Sequence, residues 1–247
     1  MARYEPRLAV DRQDPVRRTY YMRTLLRLIT VATVLTGVAQ AQTAPAQAPP
    51  PGTTSSKGYV EAFAQSAFGN VTSQAYGGEG GYTVWKNVKV FAEFGQIRNV
   101  APAELGAAAQ LIAGYLSQTQ GNVSFFVKEP VSFGAGGVRY LIPVGGSKLE
   151  PYVMVGFGVA KVRKDVTFTV GGSDVTNQLL TLGVVLGSDL TGEFSKPLAT
   201  FGGGVSWLLW RQVTADLQFR FTHIGAEDET TSAINVGRAG VGIGVRF

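Results

Sequence analysis

The feature that most constrains this chain is a strict alternation of two kinds of side chain, repeated from residue 57 to the end. The last segment sets Ala239, Val241, Ile243, Val245 and Phe247 against Arg238, Gly240, Gly242, Gly244 and Arg246. A period of two places these sets on opposite faces of a β-strand, one large and apolar, the other glycine and charge. A soluble sheet would expose the second face to water, where glycine only weakens a strand. The pattern instead favours an apolar face toward lipid and a small, charged face toward a narrow interior.

Eight segments of this kind predict eight strands, each about as long as a tilted strand that crosses a bilayer. They are 57–67, 74–84, 88–97, 131–142, 149–163, 199–209, 213–224 and 235–247. Tight connections alternate with long ones at 98–130 and 164–198. We therefore predict an all-β fold, a closed antiparallel up-and-down transmembrane β-barrel of eight strands with long loops on the extracellular side. An extra strand pair at 166–170 and 179–187 would give ten strands.

The charged residues of the inner face predict a paired network in the lumen. Five acids and five bases are assigned to it: Glu61, Glu79, Glu93, Glu150, Asp216, Lys89, Arg139, Arg220, Arg238 and Arg246. An unpaired charge in so narrow a space would be costly. Eight strands enclose an interior that side chains just fill. The sequence therefore predicts a plugged barrel or a very narrow channel.

Aromatic residues near the short turns predict one membrane-interface girdle. Trp85, Trp207 and Trp210 lie at or beside these turns, and Tyr59, Tyr82, Tyr140 and Tyr152 are nearby. Tryptophan and tyrosine favour the boundary between hydrocarbon and headgroups.

The amino-terminal part of the chain has the anatomy of an export signal. Arg23 and Arg27 begin a short apolar run, which ends in Ala39-Gln40-Ala41. This order is typical of a secretory signal peptide, with translation starting at Met22 and cleavage after Ala41. Residues 1–41 are therefore an extension and signal, 42–56 a disordered Pro/Ala-rich tether, and 57–247 the barrel.

Removal of the signal changes the charge of the protein. The whole chain carries 22 Lys and Arg against 17 Asp and Glu, a net charge of +5. Residues 1–41 contain seven of the bases and three of the acids, which leaves 15 and 14, or about +1. The mature chain has no basic excess for a nucleic acid.

Four stretches in the second half of the chain resemble small bacterial outer-membrane β-barrels of the OmpA-like, OmpX-like and opacity-protein group. They are GAGGVRYLIP (134–143), KLEPYVMVGFGVA (148–160), GGGVSWLLWRQVTADLQFRFTHIG (202–225) and GVGIGVRF (240–247). The resemblance implies a monomeric, multi-pass protein of the bacterial outer membrane. It also implies contact with outer-membrane lipid and lipopolysaccharide, and delivery to the barrel assembly machinery through the terminal Phe247.

Candidate catalytic and metal-binding groups are few, so we predict no enzyme activity, cofactor or metal. The chain has no cysteine, and His223 is its one imidazole. The His-x-Ser pair of lipid A deacylases is incomplete, because Ile224 and Gly225 follow this histidine. Glu227-Asp228-Glu229 could bind calcium, although three loop acids are more often simply solvated.

Three functions are compatible with the sequence. The first is a non-enzymatic barrel with a plugged lumen, whose long loops serve the envelope or surface contacts. The second is a narrow channel for small or apolar solutes, and the third is a lipid A-modifying enzyme. Residues 102–118 of one long loop predict a short helix with an apolar stripe at Leu105, Ala108, Ile112, Tyr115 and Leu116. We expect this helix at the barrel mouth, on the membrane surface or in the lumen.

Overall fold

Antiparallel strands form the main body of the computed structural model, which describes residues 57–145, 147–187, 190–225 and 233–247. The signal, the tether and Glu227–Glu229 lie outside the described residues. The strands are β1 Gly58–Phe68, β2 Ser73–Trp85, β3 Val88–Ile97, β4 Val123–Lys128, β5 Val131–Leu141, β6 Leu149–Val170, β7 Ser173–Asp174, β8 Gly192–Trp210, β9 Val213–Ile224 and β10 Ile234–Arg246. The helices are α1 Ala103–Gln120 and a 3₁₀ turn at Thr176–Gln178.

Eight of these strands close into a ring. The pairing runs β1–β2–β3–β5–β6–β8–β9–β10 and returns from β10 to β1, antiparallel throughout. Strands β4 and β7 pair only with β6 among the described residues and lie outside the ring. The predicted eight-stranded barrel is confirmed, and the ten-stranded alternative is wrong.

The ring strands follow the predicted segments closely, with two exceptions. Strand β3 has the predicted bounds, whereas β6 continues to Val170 and β8 begins at Gly192. The two strands remain paired from Lys164↔Gly192 down to Leu149↔Trp207. The extra length lies at the long-loop end, beyond the apolar outer belt, where lipid no longer enforces the alternation that the prediction used.

An apolar belt of membrane height surrounds the ring. On β6, the outward residues from Leu149 to Val159 are apolar, and the next outward residue is Lys161. At ~3.3 Å per residue this stretch measures about 33 Å along the strand, or about 25 Å along the axis at a tilt of ~40°. Trp85, Trp207 and Trp210 are exposed at the short-turn end of the belt. This is the height expected for a barrel that crosses the outer membrane.

Glycine on the inner face makes room for bulky neighbours. A Cβ atom at Gly137 would lie 2.1 Å from the carbonyl oxygen of Val155, and one at Gly158 would lie 1.9 Å from that of Gly134. At Gly81 the added carbon would lie 2.3 Å from the Tyr59 ring. Close approach of backbone and rings is thus what these glycines permit.

The long connections fold into a cap at the long-loop end. We define the cap as α1, β4, residues 163–170 of β6 and the described part of 171–191. Helix α1 is alanine-rich, which favours helix, and it ends at Gly121, whose φ of 82° suits glycine. No described helix is both long and apolar enough to span a membrane.

The cap has a hydrophobic core of its own. Its buried members come from α1, the segment just before it, β6 and the 171–191 connection: Ala101, Leu105, Ala109, Ala113, Leu116, Val166, Phe168, Leu179 and Leu190. The predicted helix is confirmed, but its stripe needs one correction. Tyr115 is 54% exposed, and Ala109 and Ala113 face the core instead. These two small side chains lie beside the larger Leu105 and Leu116, where α1 contacts β4 and β6.

Truncation of Leu116 should loosen the cap and leave the barrel intact. This side chain is fully buried in the cap core, and replacing such a leucine with alanine costs about 2–5 kcal/mol. We expect Leu116→Ala to speed proteolysis within 99–128, with an unchanged heat-modifiable gel shift of the barrel. Leu111→Ala, at a helix position that is 78% exposed, is the matched control. Equal proteolysis of the two variants would contradict a packed cap.

Candidate functional site

A network of buried ion pairs fills the short-turn half of the lumen. Arg220 of β9 is completely buried; its Nη2 lies 2.7 Å from Glu79 Oε2, and its Nη1 pairs with Glu93. Arg139 of β5 pairs with the same Glu79 and lies 3.5 Å from Asp216 Oδ2. Each arginine thus bridges acids from different strands, which ties opposite walls of the ring together.

Glu61 and Arg238 extend the network in opposite directions. Glu61 Oε1 lies 3.8 Å from Arg139 Nη2 and accepts a hydrogen bond from Gln218 Nε2 at 3.2 Å. Arg238 Nη2 lies 3.4 Å from Glu93 Oε1, and its guanidinium stacks 4.6 Å from the Phe133 ring centre. The network therefore runs from β1 to β10 without leaving the lumen.

A smaller group of charges lies at the short-turn opening. Arg246 Nη1 donates to Glu150 Oε1 at 2.6 Å, and its Nη2 donates to Ser206 Oγ at 2.9 Å. Lys89 forms no ion pair with any described residue, and its ammonium lies 5.2 Å from the Tyr59 ring centre. All ten predicted lumen residues point inward, and nine of them are buried, Glu150 being partly exposed.

Two tyrosines belong to this network rather than to the membrane interface. Tyr59 donates a hydrogen bond to Glu79, and Tyr152 donates to Asp216 Oδ1 at 3.1 Å. Both rings also lie against the Arg139 guanidinium. Their predicted place in the girdle is wrong, while Tyr82 and Tyr140 are exposed. Alternation predicts this position, because Tyr59 lies two residues before Glu61 and therefore on the same face of β1.

The long-loop half of the lumen is apolar, which the sequence reasoning missed. Inward side chains from all eight ring strands make one buried cluster there, including Phe63, Ala75, Ile97, Val131, Val162, Leu198, Ile224 and Val236. The lumen is therefore filled at two levels, by hydrocarbon toward the cap and by ion pairs toward the short turns. Such an interior holds strands together and offers no wide passage for solutes.

Two further charged residues lie where the lumen meets the cap. Glu129 and Lys196 are buried there. Burial raises the pKa of the Glu129 carboxyl, and the positive charges of Lys164 and Lys196 oppose that shift.

The candidate catalytic residue His223 lies on the outward face of β9, and the candidate calcium ligands Glu227–Glu229 lie outside the described residues. His223 is exposed, and its Nδ1 lies 2.8 Å from Asn235 Oδ1. Within the described part of the chain, no cluster of three or more potential metal ligands is present.

Comparison with known proteins places this architecture. The model of the outer membrane protein beta-barrel domain family matches residues 30–247. Neisserial surface protein A is 16% identical over 77% of this chain and 97% of its own, with a TM-score of 0.50. A major outer membrane protein of Thermus thermophilus is 9% identical over 77% and 99%, with a TM-score of 0.48. The N-terminal barrel of Pseudomonas aeruginosa OprF is 19% identical over 78% and 98%, with a TM-score of 0.44. No curated protein matches the chain.

Proposed function

The chain belongs to the outer membrane protein beta-barrel domain family, and from this premise we propose that it is a non-enzymatic surface protein whose cap makes contacts outside the cell. The barrel is the anchor in this proposal, and the cap is the part that meets other molecules. Contact with lipopolysaccharide and assembly as a monomer, guided by Phe247, are parts of the same proposal.

The observation that carries this proposal is the folded core of the cap. A connection that only joins two strands needs a few residues, whereas α1, β4 and the outer part of β6 bury a common apolar cluster. Ordered structure of this kind holds side chains in fixed positions. Leu111, Phe126 and Val185 are each more than 60% exposed on it, and exposed apolar side chains on a folded scaffold favour contact with another surface.

Replacing residues 101–129 with a short turn tests the role of the cap. This variant should keep the heat-modifiable gel shift, because the ring pairs do not include α1 or β4. We would measure autoaggregation, and adherence to wells coated with extracellular-matrix proteins, for bacteria producing equal surface amounts of each form. Adherence that falls to the level of cells lacking the protein supports the proposal. Undiminished adherence and autoaggregation would contradict it.

Planar-bilayer recording separates this proposal from a channel. We expect no stable single-channel steps from the purified protein, because the apolar cluster closes the lumen above the ion pairs. A porin of known conductance in the same bilayer provides the positive control. Reproducible steps that persist in a variant lacking residues 101–129 would favour a narrow channel instead.

If the protein were a lipid A-modifying enzyme, the mass spectrum of lipid A would reveal the activity. Deletion of the gene would then change the mass spectrum of lipid A, and His223→Ala would fail to restore it. We expect the spectrum to be unchanged by deletion, because His223 has an amide partner and no adjacent serine.

A further inference from the structure

The outer wall at β2, β3 and the segment just before β5 carries a groove. It has a volume of about 450 Å³ and lies at the long-loop edge of the apolar belt. Its lining residues are Gln74, Tyr76, Gln96, Ile97, Arg98, Lys128 and Pro130. We call this feature the wall groove.

Two cations of the wall groove have no acidic partner among the described residues. Arg98 Nη1 donates to Gln74 Oε1 at 2.8 Å, a neutral acceptor. Lys128 lies opposite Asp165 in the β4–β6 register, but the Asp165 carboxylate is 3.2 Å from Arg163. The wall groove therefore presents two positive charges that an anion can satisfy.

Two hydrogen bonds, one between backbone groups and one to a side chain, hold the two cation-bearing segments together. Val100 N donates to Glu129 O at 2.9 Å, and Asn99 Oδ1 accepts from Glu129 N at 2.9 Å. Arg98 directly precedes Asn99 and Lys128 directly precedes Glu129, so these hydrogen bonds hold both cations at the same rim of the groove.

Below the wall groove, the same three strands become smooth and apolar. Cross-strand pairing sets three rows in order toward the membrane centre: Tyr76–Gln96–Ser132, then Gly78–Phe94–Gly134, then Gly80–Ala92–Gly136. The first row is polar and internally hydrogen-bonded, through Tyr76 to Gln96 at 2.8 Å and Gln96 to Ser132 at 3.3 Å. Cation, polar row and apolar furrow follow one another as headgroup, linkage and acyl chain do in a lipid.

Gly80, Gly134 and Gly136 of this furrow are not required by packing, whereas a Cβ at Gly78 would lie 3.2 Å from the Phe94 ring. An added Cβ at Gly80 or Gly136 would meet its nearest neighbour at 3.6 or 3.5 Å, which is ordinary contact. Several inward glycines, in contrast, would meet backbone at about 2 Å, among them Gly77, Gly137 and Gly158. Gly80, Gly134 and Gly136 therefore leave a depression beside the Phe94 ring that the protein itself does not fill.

We propose that the wall groove binds a phosphorylated lipid of the outer leaflet, lipid A, with a phosphate held by Arg98 and Lys128 and an acyl chain along the furrow. This site rests on the lipopolysaccharide contact of the proposed function, which it assigns to named residues, and it does not depend on the cap making surface contacts. Lipid A fits because its phosphates are anionic and lie at the height of the groove, just above the hydrocarbon.

Native mass spectrometry of the detergent-solubilised full chain tests this site, with bisphosphorylated lipid A as the probe. Arg98→Gln/Lys128→Gln should weaken binding about tenfold or more, because each substitution removes a charge-assisted hydrogen bond to a lipid A phosphate. The control Lys86→Gln/Arg211→Gln removes the same charge at the short turns and should change binding less than twofold. Arg98→Lys/Lys128→Arg should retain binding. A gel shift establishes that every variant is folded.

Further arms identify the ligand chemistry. Lipid A without phosphates should bind the native chain no better than intact lipid A binds the Arg98/Lys128 variant. Gly80→Leu/Gly136→Leu should weaken lipid A binding at least threefold, whereas Ala239→Leu on β10, outside the furrow, should not. The proposal is overturned if the Arg98/Lys128 variant binds like the native chain, if the charge control loses as much, or if phosphate-free lipid binds equally. Displacement of lipid A by millimolar inorganic phosphate would also overturn it.

Discussion

Replacing Arg220 with methionine is expected to destabilise the barrel by about 3–5 kcal/mol, the usual cost of leaving buried charge without its partner. Glu79 and Glu93 both pair with this guanidinium, and neither carboxylate is exposed to water. Without Arg220, Glu79 keeps Arg139 and the Tyr59 hydroxyl, and Glu93 keeps Arg238. The measurement is urea unfolding from lipid vesicles, followed by tryptophan fluorescence and gel mobility.

The exposed pair Lys161–Glu193 offers a matched control. Its atoms are 2.6 Å apart, but both side chains are about half exposed, and such pairs contribute about 0–1 kcal/mol. Lys161→Met should therefore shift the unfolding midpoint very little. Equal shifts for Lys161→Met and Arg220→Met would show that the buried network does not stabilise the barrel. A double variant, Arg220→Met/Glu93→Gln, should recover part of the loss, since it removes one orphaned charge.

The neighbouring glycines 136 and 137 should respond in opposite ways to the same substitution. Gly137→Ala places a methyl group 2.1 Å from the Val155 carbonyl oxygen, and no rotamer change can relieve contact with backbone. We expect a loss of about 3 kcal/mol or a failure to fold, the upper range for overpacking. Gly136→Ala meets its nearest atom at 3.5 Å and should be neutral or stabilising by up to about 1 kcal/mol.

The same unfolding measurement checks this pair, and its result is easy to interpret. The two residues are adjacent in sequence, lie in the same strand and pair with the same two strands, β3 and β6. They differ in the face to which a side chain would point. Similar destabilisation by both variants would mean that strand propensity, rather than lumen space, decides the outcome.

Much of the barrel could be predicted because lipid and lumen impose opposite demands on alternate residues. A strand such as β3, apolar at Val90 and Phe94 and charged at Lys89 and Glu93, has one possible orientation. Neither the apolar layer of the lumen nor the cap gives such a signal. Val162 faces inward and Val159 outward, so side-chain type alone does not tell the faces apart.

The residues missed in the candidate site have a related cause. The preference of tyrosine for interfaces predicts a girdle position for Tyr59 and Tyr152, whereas the alternation of faces predicts that they point inward like Glu61 and Glu150. Strand β4 could not be foreseen, because the strand with which it pairs is the extension of β6 beyond the belt. Pairing outside the membrane depends on tertiary contacts that a local pattern does not contain.

The fit of rings against glycines of the neighbouring strand has a consequence for how such sequences diverge. Tyr59 occupies the space above Gly81, and Tyr152 the space above Gly204. Each ring and its glycine share one volume, so a larger residue at 81 is tolerated only after a smaller one appears at 59. Among homologues these positions should covary in pairs, and a double-mutant cycle on Tyr59 and Gly81 should show strong non-additivity. Many such paired substitutions would lower the sequence identity between barrels that keep the same shape.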